Sequence, residues 1–151
     1  MQVIINKHLT DNIWTHLSDD APIENGNITV SLARWQTDKT DLLKAPGKIG
    51  IRLNSTDDLT HLSEDLPHID LIALEFAAFT DGRSFSQARL LRDRYQYKGE
   101  IRAIGHFMPD QAFYLQRVGV NSFELDNEDQ LTATLNTLED FSVCYQKGAN
   151  A

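Results

Sequence analysis

Residues 69–105 read IDLIALEFAAFTDGRSFSQARLLRDRYQYKGEIRAIG, and this stretch decides the fold. Ile69–Phe76 is a nearly continuous apolar run, the pattern of a strand in a sheet covered on both faces. Ser84 followed by Gln87 matches a capping box, so a helix is predicted from Ser84 to Tyr95. Phe85, Ala88, Leu91 and Tyr95 supply its apolar stripe. Gly99 marks the turn, and Glu100–Ile104 returns as a strand.

The same rhythm extends in both directions. Upstream, Lys48–Leu53 is a strand. Ser55 or Thr56 is placed to cap a helix carrying Leu59, Leu62 and Leu66. Downstream, Pro109 suits the first turn of a helix with Tyr114, Leu115 and Val118 on its buried side and Gly119 as its cap. Ser122–Leu125 is a further strand, and Asn127 with Gln130 opens a last helix bearing Leu131, Leu135 and Leu138. The first third is irregular. Val3–Ile5 and Ile28–Leu32 read as short strands, and Asp38–Leu43 as a short helix closed by Pro46-Gly47.

The expected fold is therefore a single α/β domain over residues 1–151. Residues 1–47 would pack on a βαβαβαβα unit at 48–145, with 146–151 as a frayed tail. Strands alternating with helices imply a mostly parallel sheet with right-handed crossovers. Two architectures satisfy that pattern: an open, doubly wound, flavodoxin-like sheet, and a half-barrel of the (β/α)₈ type. The open sheet is favoured on length, because 151 residues hold too few units to close a full barrel.

Bulk properties narrow the function. The net charge of −8 disfavours nucleic acid and anionic membranes as partners. No apolar run is long enough to span a bilayer, and MQVIINKHLTDNIW lacks the pattern of a signal peptide, so a cytoplasmic location is expected. One cysteine, Cys144, allows no intrachain disulfide and no four-thiolate cluster. The basic residues are unevenly spread: Arg83, Arg89, Arg92, Arg94, Lys98 and Arg102 fall in one short segment, a patch suited to an anion or an acidic partner.

In either architecture, ligands bind at the carboxyl ends of parallel strands. That rule gathers Asn54, Glu75, Thr80, Asp81, Arg83, His106, Asp110, Gln111, Glu124 and Asp126. Glu75 is the most informative, because a carboxylate inside LIALEFAAF must be paired, hydrogen-bonded or protonated. Arg83, Arg89 and Arg102 are its expected partners. Glu75 and Asp81 are the candidate acid/base groups. Ser84, Ser86 and Arg83, at a helix start, are suited to an anion. Glu75, His106 and Asp126 are residue types that suit a divalent ion, but their spacing is no metal motif, and neither metal nor cofactor is expected. His8, His16, His61 and His68 are expected to face solvent.

Taken together, EFAAFTDGRSFSQARLLRDRYQYKGEIRAIG at Glu75–Gly105, PDQAFYLQRVGVNSFEL at Pro109–Leu125, LARW at Leu32–Trp35 and KIGIRL at Lys48–Leu53 resemble the bacterial domain-of-unknown-function family nine hundred and thirty-four. Members are commonly encoded beside sulfite reductase and often labelled probable oxidoreductases. His106 and Val118 stand where the resemblance leads one to expect an acidic residue and a cysteine. A looser likeness to receiver domains, through a carboxylate ending IDLIALEF, extends to the fold only. The resemblance implies an accessory role in assimilatory sulfite reduction, with the basic patch docking sulfite reductase or its electron carrier. The alternative is an enzyme acting on a small oxyanion, or an oxidoreductase with a borrowed cofactor.

Overall fold

A computed structural model describes residues 2–76, 83–125 and 127–149, without the side chains of 128 and 140–149. Eight strands form one sheet: β1 (Gln2–Ile5), β2 (His8–Asp11), β3 (Trp14–His16), β4 (Asn27–Ser31), β5 (Ile49–Leu53), β6 (Leu71–Phe76), β7 (Glu100–Gly105) and β8 (Ser122–Glu124). Their order is β2-β1-β8-β7-β6-β5-β4-β3. Strands β3 to β8 are parallel and lie in sequence order, while the β1–β2 hairpin is antiparallel and joins at β8. A doubly wound sheet reverses direction at a switch point. This one never reverses, so of the two expected architectures the half-barrel is the one adopted.

The connection between β2 and β3 requires a strongly curled sheet. These strands are the two edges, yet only Asn12 and Ile13 separate them. Three Cα steps reach about 11 Å, whereas seven strand spacings in a flat sheet would hold the edges about 34 Å apart. The sheet therefore bends until its edges approach each other.

One face of the curled sheet is apolar. Ile28, Val30, Ile51, Leu53, Ile72, Leu74, Phe76, Ile101, Ala103 and Phe123 occupy matching register positions and share one core. The helices cover this convex side: α1 (Leu32–Lys44), α2 (Arg83–Arg89), α3 (Ala112–Arg117) and α4 (Glu128–Ala149). Trp35, Ala88, Leu91, Leu115, Leu131 and Leu138 bring their apolar stripes into the same core. The alternate positions of the strands face the concave side.

Several local expectations are corrected. The helix expected after Ser55 does not form. Asn54 Oδ1 accepts from Thr56 N (2.9 Å), and Asp58 Oδ1 accepts from Thr60 N (2.9 Å), so short side chains take the backbone donors into turns. Leu59, Leu62 and Leu66 are buried all the same. The short helix expected at Asp38–Leu43 is α1, which starts at Leu32 under a Ser31 cap and kinks at Asp38. α3 begins one 3₁₀ turn after Pro109, which shifts its phase: Phe113 is buried and Tyr114 is exposed. The expected tail at 146–149 continues α4. The expected helix Ser84–Tyr95 is α2 followed by a π-helical turn at Leu90–Arg94, where Tyr95 N donates to Leu90 O (3.0 Å).

Candidate functional site

The concave face carries a connected row of polar side chains. His16 and Thr29 are register neighbours on β3 and β4, and the His16 Nδ1–Thr29 Oγ1 distance is 2.6 Å. Arg52 on β5 donates from Nη1 to Thr29 Oγ1 (2.8 Å) and Thr29 O (2.9 Å), and from Nη2 to Leu17 O (2.6 Å). Across the bowl, His16 Nε2 lies 2.9 Å from Glu124 Oε2 on β8. That contact bridges strands separated by four others, which only the curl allows.

Hydrogen-bond logic assigns the neutral tautomer of His16. The Thr29 hydroxyl already accepts from Arg52 and has one proton to give. His16 Nδ1 is the acceptor within reach, so in the neutral ring the proton sits on Nε2 and is donated to Glu124. Hydroxyl, imidazole and carboxylate stand in line as in a nucleophilic triad. Thr29 is wholly buried, however, so its hydroxyl has no path to a substrate.

Arg102 completes the row. It is wholly buried and donates to Glu124 Oε1 (2.8 Å), Asn12 Oδ1 (3.0 Å), Ser122 Oγ (2.9 Å) and Glu100 Oε2 (2.8 Å). A buried guanidinium needs this density of partners. Burial alone would raise the Glu124 carboxyl. The hydrogen bonds and charges of His16 and Arg102 outweigh burial and hold it below the usual carboxylate range.

Glu75 sits apart from this row, near the carboxyl end of β6. Its partner is Arg52, at 3.7 Å from Nε to Oε1, and none of the expected Arg83, Arg89 or Arg102. The Glu75 side chain is 44% exposed, so it faces solvent at the bowl's edge. Burial lowers the Arg52 guanidinium from its ordinary value, against the opposing charges of Glu75 and Asp19.

Other strand-end residues serve local turns. Asn54 holds the turn at Thr56, and its carbonyl accepts from Gln87 Nε2 (2.8 Å). Gln111 Oε1 accepts from Met108 N (2.7 Å), with Asp110 exposed between them. His106 is exposed, and its backbone N–H donates to Phe76 O (2.8 Å). Thr80, Asp81 and Asp126 lie outside the described residues. Among the described residues no group of three His, Cys, Asp or Glu is placed to hold a metal.

The expected basic patch divides. Arg102 leaves it for the concave face. Ser84 is buried, and its hydroxyl has no hydrogen-bond partner. Arg92 is half-buried and donates to Gly119 O (2.9 Å), Tyr97 O (2.8 Å) and Gly99 O (2.8 Å), tying two loops together. Burial lowers this guanidinium from its ordinary value, with Tyr97 opposing the shift. Gly119 has φ +111°, and a side chain there would collide with Arg92. Arg83, Arg89, Arg94 and Lys98 are exposed, and Arg117 on α3, absent from the expected patch, joins Arg89.

Arg89 and Arg117 flank an outer groove of about 420 Å³ lined by Phe85, Ser86, Tyr114 and Val118. A second hollow of about 300 Å³ shares Arg89, Arg117 and Val118 and adds Arg92, Asp93 and Gly119. Leu90 and Tyr114 are exposed large apolar residues on the same two helical segments.

These features define an α/β half-barrel with a sealed polar bowl on one side of its sheet and an arginine-lined groove on the other. Residues 50–151 match the family described as a bacterial protein of unknown function (DUF934), and the chain belongs to that family. A comparison with curated proteins finds no match. Among the described residues no helix is long and apolar enough to cross a membrane.

Proposed function

We propose that this protein is a cytoplasmic accessory component of assimilatory sulfite reduction, docking sulfite reductase or its electron carrier through the outer groove. The observation that carries this reading is the convergence of Arg89, Arg92 and Arg117 from two helical segments on a chain of net charge −8. Exposed Tyr114 and Leu90 stand near them. Arginine and tyrosine dominate the energetics of protein interfaces. The identity of the partner comes from the resemblance of the family's members to companions of sulfite reductase.

The test is binding of purified sulfite reductase, and separately of its electron carrier, to the wild-type chain and to an Arg89→Glu/Arg117→Glu variant. Roughly tenfold weaker binding by the variant is expected, the scale of losing one good interface contact. Equal binding by both chains contradicts the reading.

A second reading rests on Glu75, which is half-exposed at the strand ends and only loosely paired with Arg52. Such a carboxylate is suited to acid/base work on a small oxyanion held by a guanidinium, with Asp81 as its expected companion. A redox reaction there would need a borrowed cofactor, because these side chains offer no reversible electron chemistry. Undiminished sulfite-dependent growth of a Glu75→Gln strain counts against this second reading.

A further inference from the structure

We propose that the outer groove receives an acidic segment of the partner in which two carboxylates flank one apolar side chain. This inference rests on the docking reading above and adds the chemistry of what docks.

Charge sets the first requirement. Arg89, Arg92 and Arg117 line the second hollow with Asp93 as its one carboxylate, so three positive groups face one negative and leave an excess of two. Arg89 and Arg117 have no carboxylate partner among the described residues. Two carboxylates from outside would balance the hollow. They would also use the fork geometry in which guanidinium holds carboxylate best.

Shape sets the second. Phe85, Tyr114 and Val118 give the larger hollow an apolar wall that an inorganic oxyanion would leave uncovered. Its volume of about 420 Å³ accommodates a large side chain with its flanking backbone. The wall is fixed in place before anything binds. Phe85 packs edge-on against the core ring Phe76, with centroids 6.0 Å apart. The Arg117 guanidinium lies 5.7 Å from the centroid of Phe113, whose ring meets Tyr114 at 5.3 Å. Arg92 is pinned by three carbonyls. Ordering entropy at these side chains is spent within the fold, which leaves less to lose on association.

A nucleic acid fits this surface poorly. Its phosphates repeat along its whole length, and the −8 chain repels them away from the groove. A short acidic segment needs only the local excess.

A photo-crosslinking residue, p-benzoylphenylalanine, placed at Ser86 of the full chain tests the inference against purified sulfite reductase and its electron carrier. Mass spectrometry then locates the cross-linked peptide. The expected peptide carries an apolar residue with two Asp or Glu within about three residues of it, the reach of neighbouring side chains in an extended segment. An Arg117→Glu chain should give at least roughly tenfold less cross-link. Cross-linking to a neutral or basic segment overturns the inference while docking stands. Full displacement of the cross-link by millimolar inorganic phosphate also overturns it, in favour of a small-anion site. Absence of both cross-link and binding overturns the docking reading, and this inference with it.

Discussion

Arg102 and Arg117 stand on opposite sides of one sheet and are used in opposite ways. Arg102, on the concave side, is wholly buried among Glu100, Glu124, Ser122 and Asn12. Arg117, on the convex side, is exposed and lies over an aromatic ring with no carboxylate in contact among the described residues. The contrast separates two roles for the same side chain. A guanidinium whose donors are matched inside the protein holds the protein together. One left in solvent beside apolar surface is available to a partner.

The sharpest way to break this contrast is Arg102→Met. Removing one member of a buried charge network leaves the others uncompensated, here Glu100 and Glu124, at a cost of about 3–5 kcal/mol. Urea unfolding should record that loss, and a chain that fails to accumulate in soluble form would express the same effect. A loss below about 1 kcal/mol, the scale of an exposed pair, would place Arg102 with the surface arginines.

Glu124→Gln sharpens it further. Charge-assisted hydrogen bonds contribute about 1.5–3 kcal/mol, and the amide can replace only part of what His16 and Arg102 receive from the carboxylate. The pH dependence carries a defined sign. The Glu124 carboxyl is held below its ordinary value of 4.5, so its contribution is complete above that pH and fades as pH falls through the depressed value. Wild-type stability should therefore drop on acidification below about pH 4.5, more steeply than that of Glu124→Gln. Parallel pH profiles would remove Glu124 from the network.

Thr29→Val is smaller again. It preserves shape and removes the hydroxyl between Arg52 and His16, for an expected loss of about 1–2 kcal/mol. The smallest stability effect belongs to the convex side. Arg89→Glu and Arg117→Glu should each stay within about 0.5 kcal/mol of wild type.

Much of the fold was legible because period and punctuation agreed. The apolar run Leu71–Phe76, the turn at Gly99 and the cap at Gly119 all stand where the pattern places them. Strand order was not legible, since alternation alone fits both singly and doubly wound sheets. The missing helix after Ser55 reflects a local competition in which Asx turns win although the leucine spacing survives as burial.

The site was legible only in part. Glu75 and the helical arginines stood out, but His16, Thr29 and Arg52 did not. Their signal was present as polar residues at alternate strand positions, NITVS, IGIRL and EIRAIG, all pointing to one face. Recognising it as a shared network requires the strand register and the curl, which bring His16 to Glu124 across four intervening strands. Arg117 was missed for a related reason, because it meets Arg89 only when α2 and α3 lie side by side.

The division of labour between the two faces is tested most directly by one paired measurement on Arg117→Glu: its urea unfolding curve and its affinity for sulfite reductase and the electron carrier. The expected result is stability within about 0.5 kcal/mol of wild type together with roughly tenfold weaker binding. Unchanged affinity for both partners, with stability preserved, would contradict the assignment of the convex groove as the docking face.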